Sequence, residues 1–516
     1  MRKLIMLAGV LAGAPAAAAQ AGFRLEEATI TDLHAALASG TVTCRGLVER
    51  YLARIAAYDQ NGPALNAIVS INPHALAVAD SLDRRFRTGG PVGPLHCVPM
   101  IVKENFETTE LPVTAGSLSL QGFVSERDAF QVRRIKAAGA IVLAKSNMAE
   151  FAFSPFETVS SILPGYSKNP YALDRVTAGS SGGTAAAVAA NFGAAGLGTD
   201  TGNSIRGPSA HQALVGIRST MGLTSRAGIV PLNLAADIAG PMARTVADAV
   251  AVFATIVGAD PADSVTRAAA DRPIPDYRAA LVADGLRGAR VGILTQAYQT
   301  PTTDPEVVAV FDRAVADLRR AGAEVVEAVT IDSLDAWRRE QTGSCFPFKH
   351  DLNAWLATHR GRTPVATLED VIRSRKFHPS IEKRLELAQA VTVEPDQNPA
   401  CASRDRFRAA LRRGVLAALD RHRLDALIYP TWSNPPRKIG DLTTPAGDNN
   451  QLFSPSTGFP AITVPMGYLR GGILPAGLQF FGRPWQEAVL IRLAYGYEQT
   501  TRHRRPPAAT PPLENR

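Results

Sequence analysis

Two glycine-rich turns that contain serine, together with one lysine, are the residues of this sequence best suited to nucleophilic chemistry. The first serine turn, residues 179–183, carries Ser180 and Ser181, and the second serine turn, residues 201–205, carries Ser204. Lys103 stands at the end of an apolar stretch. A lysine on a buried strand loses its charge by desolvation, and a neutral lysine can act as general base towards a serine hydroxyl. The pattern therefore predicts a serine nucleophile activated by a lysine.

Other interpretations of the first serine turn remain open at this point. A phosphate-binding loop needs lysine followed by serine or threonine after its second glycine, and this turn has neither. An α/β-hydrolase elbow would use Ser181 as nucleophile, but the preceding strand is poor and nothing around His422 or His503 suggests a catalytic loop. Taken singly, the serines and the lysine would also fit turn, helix-cap or surface roles.

Several motifs in order along the chain resemble those of the amidase signature family. The motifs are residues 98–105, 145–151, 179–183, 198–200, 202–206, 240–248, 458–465, 477–479 and 482–483. The similarity runs from about residue 25 to 500, and Ser180 and Ser204 have the family spacing of 24 residues. The resemblance implies hydrolysis of a carbon–nitrogen amide bond without metal or cofactor. It also implies a single large α/β/α domain with a central mixed β-sheet covered by helices.

The resemblance also implies a role for individual residues. Ser204 would attack the amide carbonyl, and Ser180 would pass the proton towards Lys103. The backbone N–H groups that would form the oxyanion hole belong to Thr201, Gly202, Asn203 and Ser204. The residues that would line the acyl pocket are Ala152, Phe153 and Ser154.

Two positions depart from the family pattern. Asn203 stands where the family commonly has glycine, and asparagine tolerates left-handed backbone angles better than most residues, so the turn is expected to survive. Its side chain would narrow the pocket or add a hydrogen-bond donor. Cys97 stands where the family often has glycine, and we expect only an effect on packing.

Strands and helices are predicted to alternate over most of the chain, which is typical of an α/β fold. Helices are predicted at 31–58 with a break at Gly40, and at 130–138, 185–191 and 304–322. Strands are predicted at 96–102, 140–144, 290–294, 425–429 and 461–465. Because no long linker divides the chain, residues 22–501 are predicted to form one amidase domain. The stretch from about 330 to 420 is the least patterned and is predicted to be a cap or insertion beside the site.

The two ends of the chain are predicted to lie outside this domain. Residues 1–21 have a basic start, an apolar run and small residues, which indicates a cleaved signal peptide and a periplasmic or secreted protein. Residues 502–516, rich in proline and arginine, are predicted to be a disordered tail. These ends carry most of the formal charge of +8, so the domain itself retains only about +3. The charge therefore does not indicate a nucleic-acid partner.

Composition and cysteine content exclude several other classes. With 46% hydrophobic and 20% charged residues the chain is neither disordered nor collagen-like. Four cysteines are too few for a disulfide-built scaffold and form no paired CxxC zinc motif. Export makes disulfides possible. Cys345 and Cys401 could pair, whereas Cys97 is expected to be a buried free cysteine and Cys44 is a less convincing candidate for pairing.

The main prediction is an exported serine amidohydrolase that acts on a small-molecule amide. Aryl esters and carbamates are further candidate substrates, and a monomer or homodimer without a membrane span is expected. The family also contains the amidotransferase subunit that makes glutaminyl-tRNA, and the predicted export argues against that role. The alternatives are a non-catalytic binding protein on an amidase scaffold and an esterase that uses Ser181.

Overall fold

The computed structural model describes residues 23–448 and 451–513, so the predicted signal peptide, residues 1–21, lies outside the described residues. In chain order, the strands β1 to β13 are Ile68–Ile71, Pro99–Lys103, Ile141–Ser146, Lys168–Asn169, Ala172–Val176, Ala195–Asp200, Val215–Arg218, Ile238–Ala243, Arg290–Leu294, Glu324–Val329, Ala426–Pro430, Ala461–Leu469 and Leu474–Phe481.

The helices of the described residues are distributed over the whole chain. In chain order, α1 to α16 are Ile30–Ala38, Cys44–Tyr58, Ala75–Gly89, Phe130–Ala137, Gly182–Ala189, Arg206–His211, Val246–Ile256, Arg267–Ala270, Pro305–Arg320, Leu334–Glu340, Phe348–Ala357, Leu368–Ser374, Glu382–Gln389, Pro399–Arg421, Phe453–Thr457 and Glu487–Thr501. Short 3₁₀ turns are present at Leu118–Leu120, Glu150–Ala152, Ser264–Thr266, Tyr277–Ala280, Thr295–Ala297 and Pro379–Ile381.

Eleven of these strands form one mixed sheet in the order β1-β3-β2-β6-β8-β7-β12-β13-β11-β9-β10. The neighbours of β2, which are β3 and β6, run parallel to it, and β9 runs parallel to both β10 and β11. The remaining pairs of this sheet are antiparallel. The predicted α/β class, with a central mixed sheet covered by helices in one large domain, is confirmed.

The centre of the sheet is fully enclosed. Every residue of β2, β3, β6, β7 and β8 is buried, as expected where both faces of a sheet are covered. The helices α7, α9 and α16 contact the sheet and one another through α16, and α5 and α6 form a second contacting pair on the sheet. Among the described residues, no helix has the length and apolar character needed to cross a membrane.

Most predicted elements are confirmed within a few residues at each end. The break at Gly40 separates α1 from α2, and α2 starts at an N-cap, Thr43, whose side chain accepts the N–H of Gly46. The predicted amphipathic helix is α9, which has Asp304 as N-cap and Pro305 at its first turn. The strand predicted at 290–294 is β9.

The least patterned stretch, 330–420, consists of the helices α10 to α14. Apolar residues from these helices, among them Phe348, Leu352 and Trp355, form a separate core cluster. The same cluster includes Phe151 and Phe153, which belong to a predicted pocket segment. The stretch therefore forms a helical cap whose core is shared with the predicted acyl pocket.

The prediction of a disordered tail from residue 502 is wrong for residues 502–513. Arg504 pairs with Glu27 through two hydrogen bonds of 2.7 and 2.8 Å and donates to the carbonyl oxygen of Ala213 at 2.9 Å. Burial alone would raise the pKa of Glu27, but Arg504 lowers it to about 2. Further along, the carbonyl oxygen of Thr510 accepts a hydrogen bond from the buried side chain of Arg54. These contacts fasten the C-terminal segment to the N-terminal part of the domain.

The cysteines are all paired, which corrects the expectation of a free Cys97. Cys345 and Cys401 form a disulfide, as the sequence allowed. Cys97 and Cys44 form a second one. Cys97 is able to pair because it lies outside the strand in which it was expected, since β2 begins only at Pro99. Cys97 therefore lies in the preceding turn, with a φ of 58°, and faces the first residue of α2.

Replacing Arg504 with alanine is expected to lower the free energy of unfolding by about 3 kcal/mol, because the largely buried carboxylate of Glu27 loses its partner. Arg502→Ala is the matched control, because that exposed side chain lies two residues earlier, and about 0.5 kcal/mol or less is expected. Urea denaturation of both variants measures the difference. Equal stability of the two variants would show that the C-terminal segment is not fastened by this ion pair.

Candidate active site

Two parallel strands bring the lysine and its partners to one edge of the sheet. Lys103 is the last residue of β2, and Asp200 ends the neighbouring strand β6, one residue after Thr199. Lys103 is fully buried, and its Nζ lies 2.7 Å from Ser180 Oγ and 2.7 Å from Thr199 Oγ1. Asn105 Nδ2 donates to the same threonine oxygen at 3.2 Å. The amine is therefore held between one serine and one threonine.

Burial sets the protonation of this amine. Desolvation lowers the pKa of Lys103 to about 7, against the attraction of Asp200 and Asp237, which raises it. At neutral and alkaline pH a large part of the amine is uncharged. Its lone pair is then available to the hydroxyl of Ser180.

The first serine turn is packed too closely for larger residues. The peptide bond between Gly179 and Ser180 is cis, and α5 begins two residues later at Gly182. A Cβ at Gly183 would overlap the carbonyl group of Asn147, and one at Gly179 would lie 2.5 Å from the carbonyl oxygen of Ser154. This packing places Ser180 Oγ at the lysine.

The second serine turn links β6 to α6 and faces a cavity of about 310 Å³. The four residues predicted for the oxyanion hole all line this cavity, namely Thr201, Gly202, Asn203 and Ser204. Ser204 is only 5% exposed. The N–H groups of Gly202, Asn203 and Ser204 make no hydrogen bond to another described residue. They are therefore available to an oxyanion in the cavity.

A buried ionic cluster supports the second serine turn from behind. Asp200 Oδ2 lies 3.1 Å from Arg206 Nε, and Asp200 Oδ1 lies 3.0 Å from Arg218 Nη1. Asp200 also accepts the N–H of Ile205 at 3.1 Å, and Arg206 donates to the carbonyl oxygen of Gly202 at 2.5 Å. Burial alone would raise the pKa of Asp200, but the two arginines lower it, so the carboxylate remains charged.

Asn203 keeps the turn without using a left-handed backbone conformation, since it is not among the residues with positive φ. Its side chain is buried and donates to Asp448 Oδ1 at 2.6 Å. Asp448 also accepts a hydrogen bond from Gln451. The departure from glycine thus adds a hydrogen bond between the turn and the segment that precedes α15.

The predicted acyl-pocket residues are only partly brought together. Ala152 and Phe153 line the cavity, whereas Ser154 does not, and its hydroxyl accepts the N–H of Phe156 at 3.3 Å. The ring of Phe153 packs against that of Phe348, with centroids 4.6 Å apart. The helical cap therefore supplies part of the apolar wall behind the pocket.

Ser181, the nucleophile of the esterase alternative, lies away from the cavity. It is fully buried at the N-cap of α5, and its hydroxyl donates to the carbonyl oxygen of Thr199 at 3.1 Å. The strand before it, β5, pairs with β4 and belongs to a separate two-stranded sheet. An α/β-hydrolase elbow needs a strand of the central sheet at this point. The arrangement therefore favours Ser204 over Ser181.

Several residues of the site were not identified from the sequence. Thr199, Asp200 and Arg206 lie within the sequence motifs, but no role was predicted for them. The signal that could have identified Thr199 was its position near the end of the strand next to Lys103. The cap contributes five cavity residues, three of them arginines: Gln341, Arg384, Arg404, Phe407 and Arg408. They lie in the unpatterned stretch, and nothing in the sequence indicated them.

Comparisons with known proteins show the family to which the chain belongs. The model of the family described as Amidase matches residues 46–491. A probable amidase of Arabidopsis thaliana is 35% identical over 94% of this chain and 92% of its own length. One subunit of the glutamyl-tRNA(Gln) amidotransferase from Myxococcus xanthus is also 35% identical, over 92% of this chain and 98% of its own length.

Solved structures give the same result. The native peptide amidase from Stenotrophomonas maltophilia superposes with a TM-score of 0.85 at 39% identity and covers 93% of this chain and 98% of its own. An amidase family protein from Bacillus anthracis has a TM-score of 0.82 at 31% identity, covering 94% of this chain and 92% of its own. The chain therefore belongs to the amidase signature family, whose chemistry is hydrolysis of carbon–nitrogen amide bonds.

The value of kcat/KM is expected to rise from acid towards alkaline pH with an apparent pKa near about 7, because only neutral Lys103 can accept a proton. Below that pKa the rate should fall about tenfold per pH unit. Steady-state kinetics with one amide over the pH range measure the profile. Enzyme held at acid pH and assayed at pH ~8 controls for irreversible loss. A maximum near pH ~5 would contradict the assignment of the base.

Proposed function

We propose that this protein hydrolyses amides through an acyl-enzyme formed on Ser204, with Ser180 as proton relay and Lys103 as base. The observation that carries the proposal is the distance of 2.7 Å between Lys103 Nζ and Ser180 Oγ, in a fully buried pair next to the second serine turn. Such a pair can move a proton without water.

The steps follow from the positions of the groups. Ser204 Oγ attacks the amide carbonyl carbon and loses its proton to Ser180, whose own proton passes to the lone pair of Lys103. The carbonyl oxygen becomes an oxyanion that the free N–H groups of the second serine turn can stabilise. Lys103 and Ser180 then return the proton to the leaving nitrogen as the carbon–nitrogen bond breaks. Water attacks the acyl-enzyme by the same relay and releases the acid.

The proposed mechanism needs no group beyond the chain itself. Thr199 Oγ1 accepts one N–H of the lysine, which leaves the lone pair of the neutral amine for Ser180. The buried carboxylate of Asp200 keeps the second serine turn in place through Arg206. Lys103 and the second serine turn are thus both held by neighbours that do not react.

The proposal extends to the cellular compartment. The basic and apolar character of residues 1–21 supports export with removal of a signal peptide, and both disulfides are compatible with an oxidising compartment. The N-terminal sequence of the protein recovered from its native host tests this. A mature protein that begins near residue 20 or 22 is expected, and one that retains Met1 in the cytosol would contradict export.

Labelling with a fluorophosphonate probe tests the nucleophile. Wild-type protein is expected to be labelled, and Ser204→Ala to lose labelling and at least about 10³-fold of kcat/KM, because the acyl-enzyme cannot form. Ser181→Ala is the matched control, since it removes the neighbouring serine of the esterase alternative and should keep labelling. The substrate panel comprises anilides, fatty amides, peptide amides, carbamates and aryl esters.

Two results would contradict this proposal. Labelling that depends on Ser181 would favour the esterase alternative. No labelling of the wild type and no turnover of any panel member would favour a non-catalytic binding protein, and a biological role that survives Ser204→Ala would support the same conclusion.

A further inference from the structure

The described charged side chains that line the cavity in front of the second serine turn are all positive. Its charged lining residues among the described part of the chain are three arginines, Arg384, Arg404 and Arg408, and no described acidic residue lines it. The rest of the wall combines apolar side chains with neutral polar groups such as Asn233 and Gln341. A cavity of about 310 Å³ with charges of one sign concentrates ligands of the opposite charge.

The three arginines differ in how many of their N–H groups already donate to an acceptor within the protein. Arg408 is buried and donates to the carbonyl oxygens of Ala235, Pro455 and Ser456 at 2.6, 2.9 and 3.0 Å. These bonds fix its position, so its role is to hold the wall and contribute charge. Arg384 is exposed at the cavity edge, where it donates to the carbonyl oxygen of Phe153 and lies over the ring of that residue.

Of the three, Arg404 is the arginine with a buried donor that has no acceptor among the described residues. Its Nε donates to Asp405 Oδ1 at 2.9 Å, and its Nη1 is buried without a hydrogen-bond partner among the described residues. The partner carboxylate is 60% exposed, so solvent screens most of its charge. A buried guanidinium nitrogen without an acceptor is costly, and a carboxylate oxygen would satisfy it.

The two acidic neighbours at the floor of the cavity have their carboxylate oxygens occupied by hydrogen bonds. Asp448 contacts two lining residues, but it accepts hydrogen bonds from both, Asn203 at Oδ1 and Gln451 at Oδ2. Asp237 is similarly occupied by the hydroxyl of Thr201 and by two backbone N–H groups. An anionic ligand would therefore meet the guanidinium groups and no exposed carboxylate of the wall.

We propose that the preferred substrates are amides that carry a carboxylate a few bonds from the scissile group, with Arg404 as the residue that binds it. This inference rests on the proposed function and specifies its substrate class. All such substrates share a carboxylate that lies a few bonds from the amide. It can belong either to the acyl part or to the amine part of the substrate, and the test separates the two.

Two matched pairs of substrates test the proposal. Glutaramate and 5-methylhexanamide share the acyl chain and differ in a carboxylate against an isopropyl group of the same shape. N-acetyl-4-aminobutyrate and N-acetyl-4-methylpentylamine differ in the same way on the amine side. For one pair, kcat/KM of the carboxylate member is expected to exceed that of its neutral partner by about 10- to 100-fold.

Variants of Arg404 identify the residue responsible. In Arg404→Gln the ratio of kcat/KM between the carboxylate member and its neutral partner should fall at least about tenfold, and Arg404→Lys should retain part of this ratio. Arg406→Gln is the control, because this exposed arginine lies on the same helix but does not line the cavity. Thermal unfolding establishes that each variant is folded. A preference that is unchanged in Arg404→Gln would overturn the role of this arginine.

A binding measurement separates failure of this inference from failure of the proposed function. Calorimetry of Ser204→Ala with glutarate should detect binding that Arg404→Gln weakens at least about tenfold and Arg406→Gln does not. Turnover of the neutral amides with no carboxylate preference in either pair would overturn the substrate class and leave the amidase function intact. If the serine probe labels the wild type but none of the four amides is cleaved, the absence of glutarate binding would overturn the proposed substrate class. If the wild type is neither labelled nor active, both proposals fail.

Discussion

The removal of the Lys103 amine from water is the constraint on which the rest of the site depends. An amine at the end of a buried strand loses the solvation that keeps it charged, and burial outweighs the attraction of Asp200 and Asp237. The sheet makes this possible because β2 lies between β3 and β6, and all three strands are fully buried. In the proposed mechanism, the fold provides the base by excluding water from this amine. The nearest polar partners, Ser180 and Thr199, then determine which hydroxyl the base meets.

A second buried charge serves a different purpose. Asp200 ends the strand next to Lys103, but two arginines keep it charged. It accepts a hydrogen bond from the backbone of the second serine turn, while Arg206 holds the carbonyl oxygen of Gly202. One strand end thus carries an amine whose pKa is lowered by burial, and its neighbour carries a carboxylate kept ionised by pairing. The proposed mechanism needs both, because a mobile turn could not hold the oxyanion in place next to a well-positioned base.

Local motifs indicated the residues of the proposed relay, whereas long-range contacts could not be predicted from the sequence. Lys103, Ser180 and Ser204 lie in turns and strand ends whose local pattern is distinctive. The pairing of Cys97 with Cys44 spans 53 residues, and the contact of Arg504 with Glu27 joins the two ends of the domain. Composition alone made the C-terminal segment look disordered, because proline and arginine reveal no tertiary partner. The arginines of the cap were missed for a related reason. Their helices, α13 and α14, lie beside the cavity because of tertiary packing, which no local sequence pattern reveals.

The most direct test of this account is the pKa of Lys103 itself. Protein labelled with ¹³C at the lysine ε-carbons can be titrated by NMR from about pH 5 to pH 11, with Lys103→Met to assign the signal. This assignment is needed because burial also lowers the pKa of Lys145. The Lys103 signal is expected to titrate near pH ~7. A signal that titrates near the ordinary lysine value of about 10.4 would contradict it, because the relay would then lack a neutral base at physiological pH.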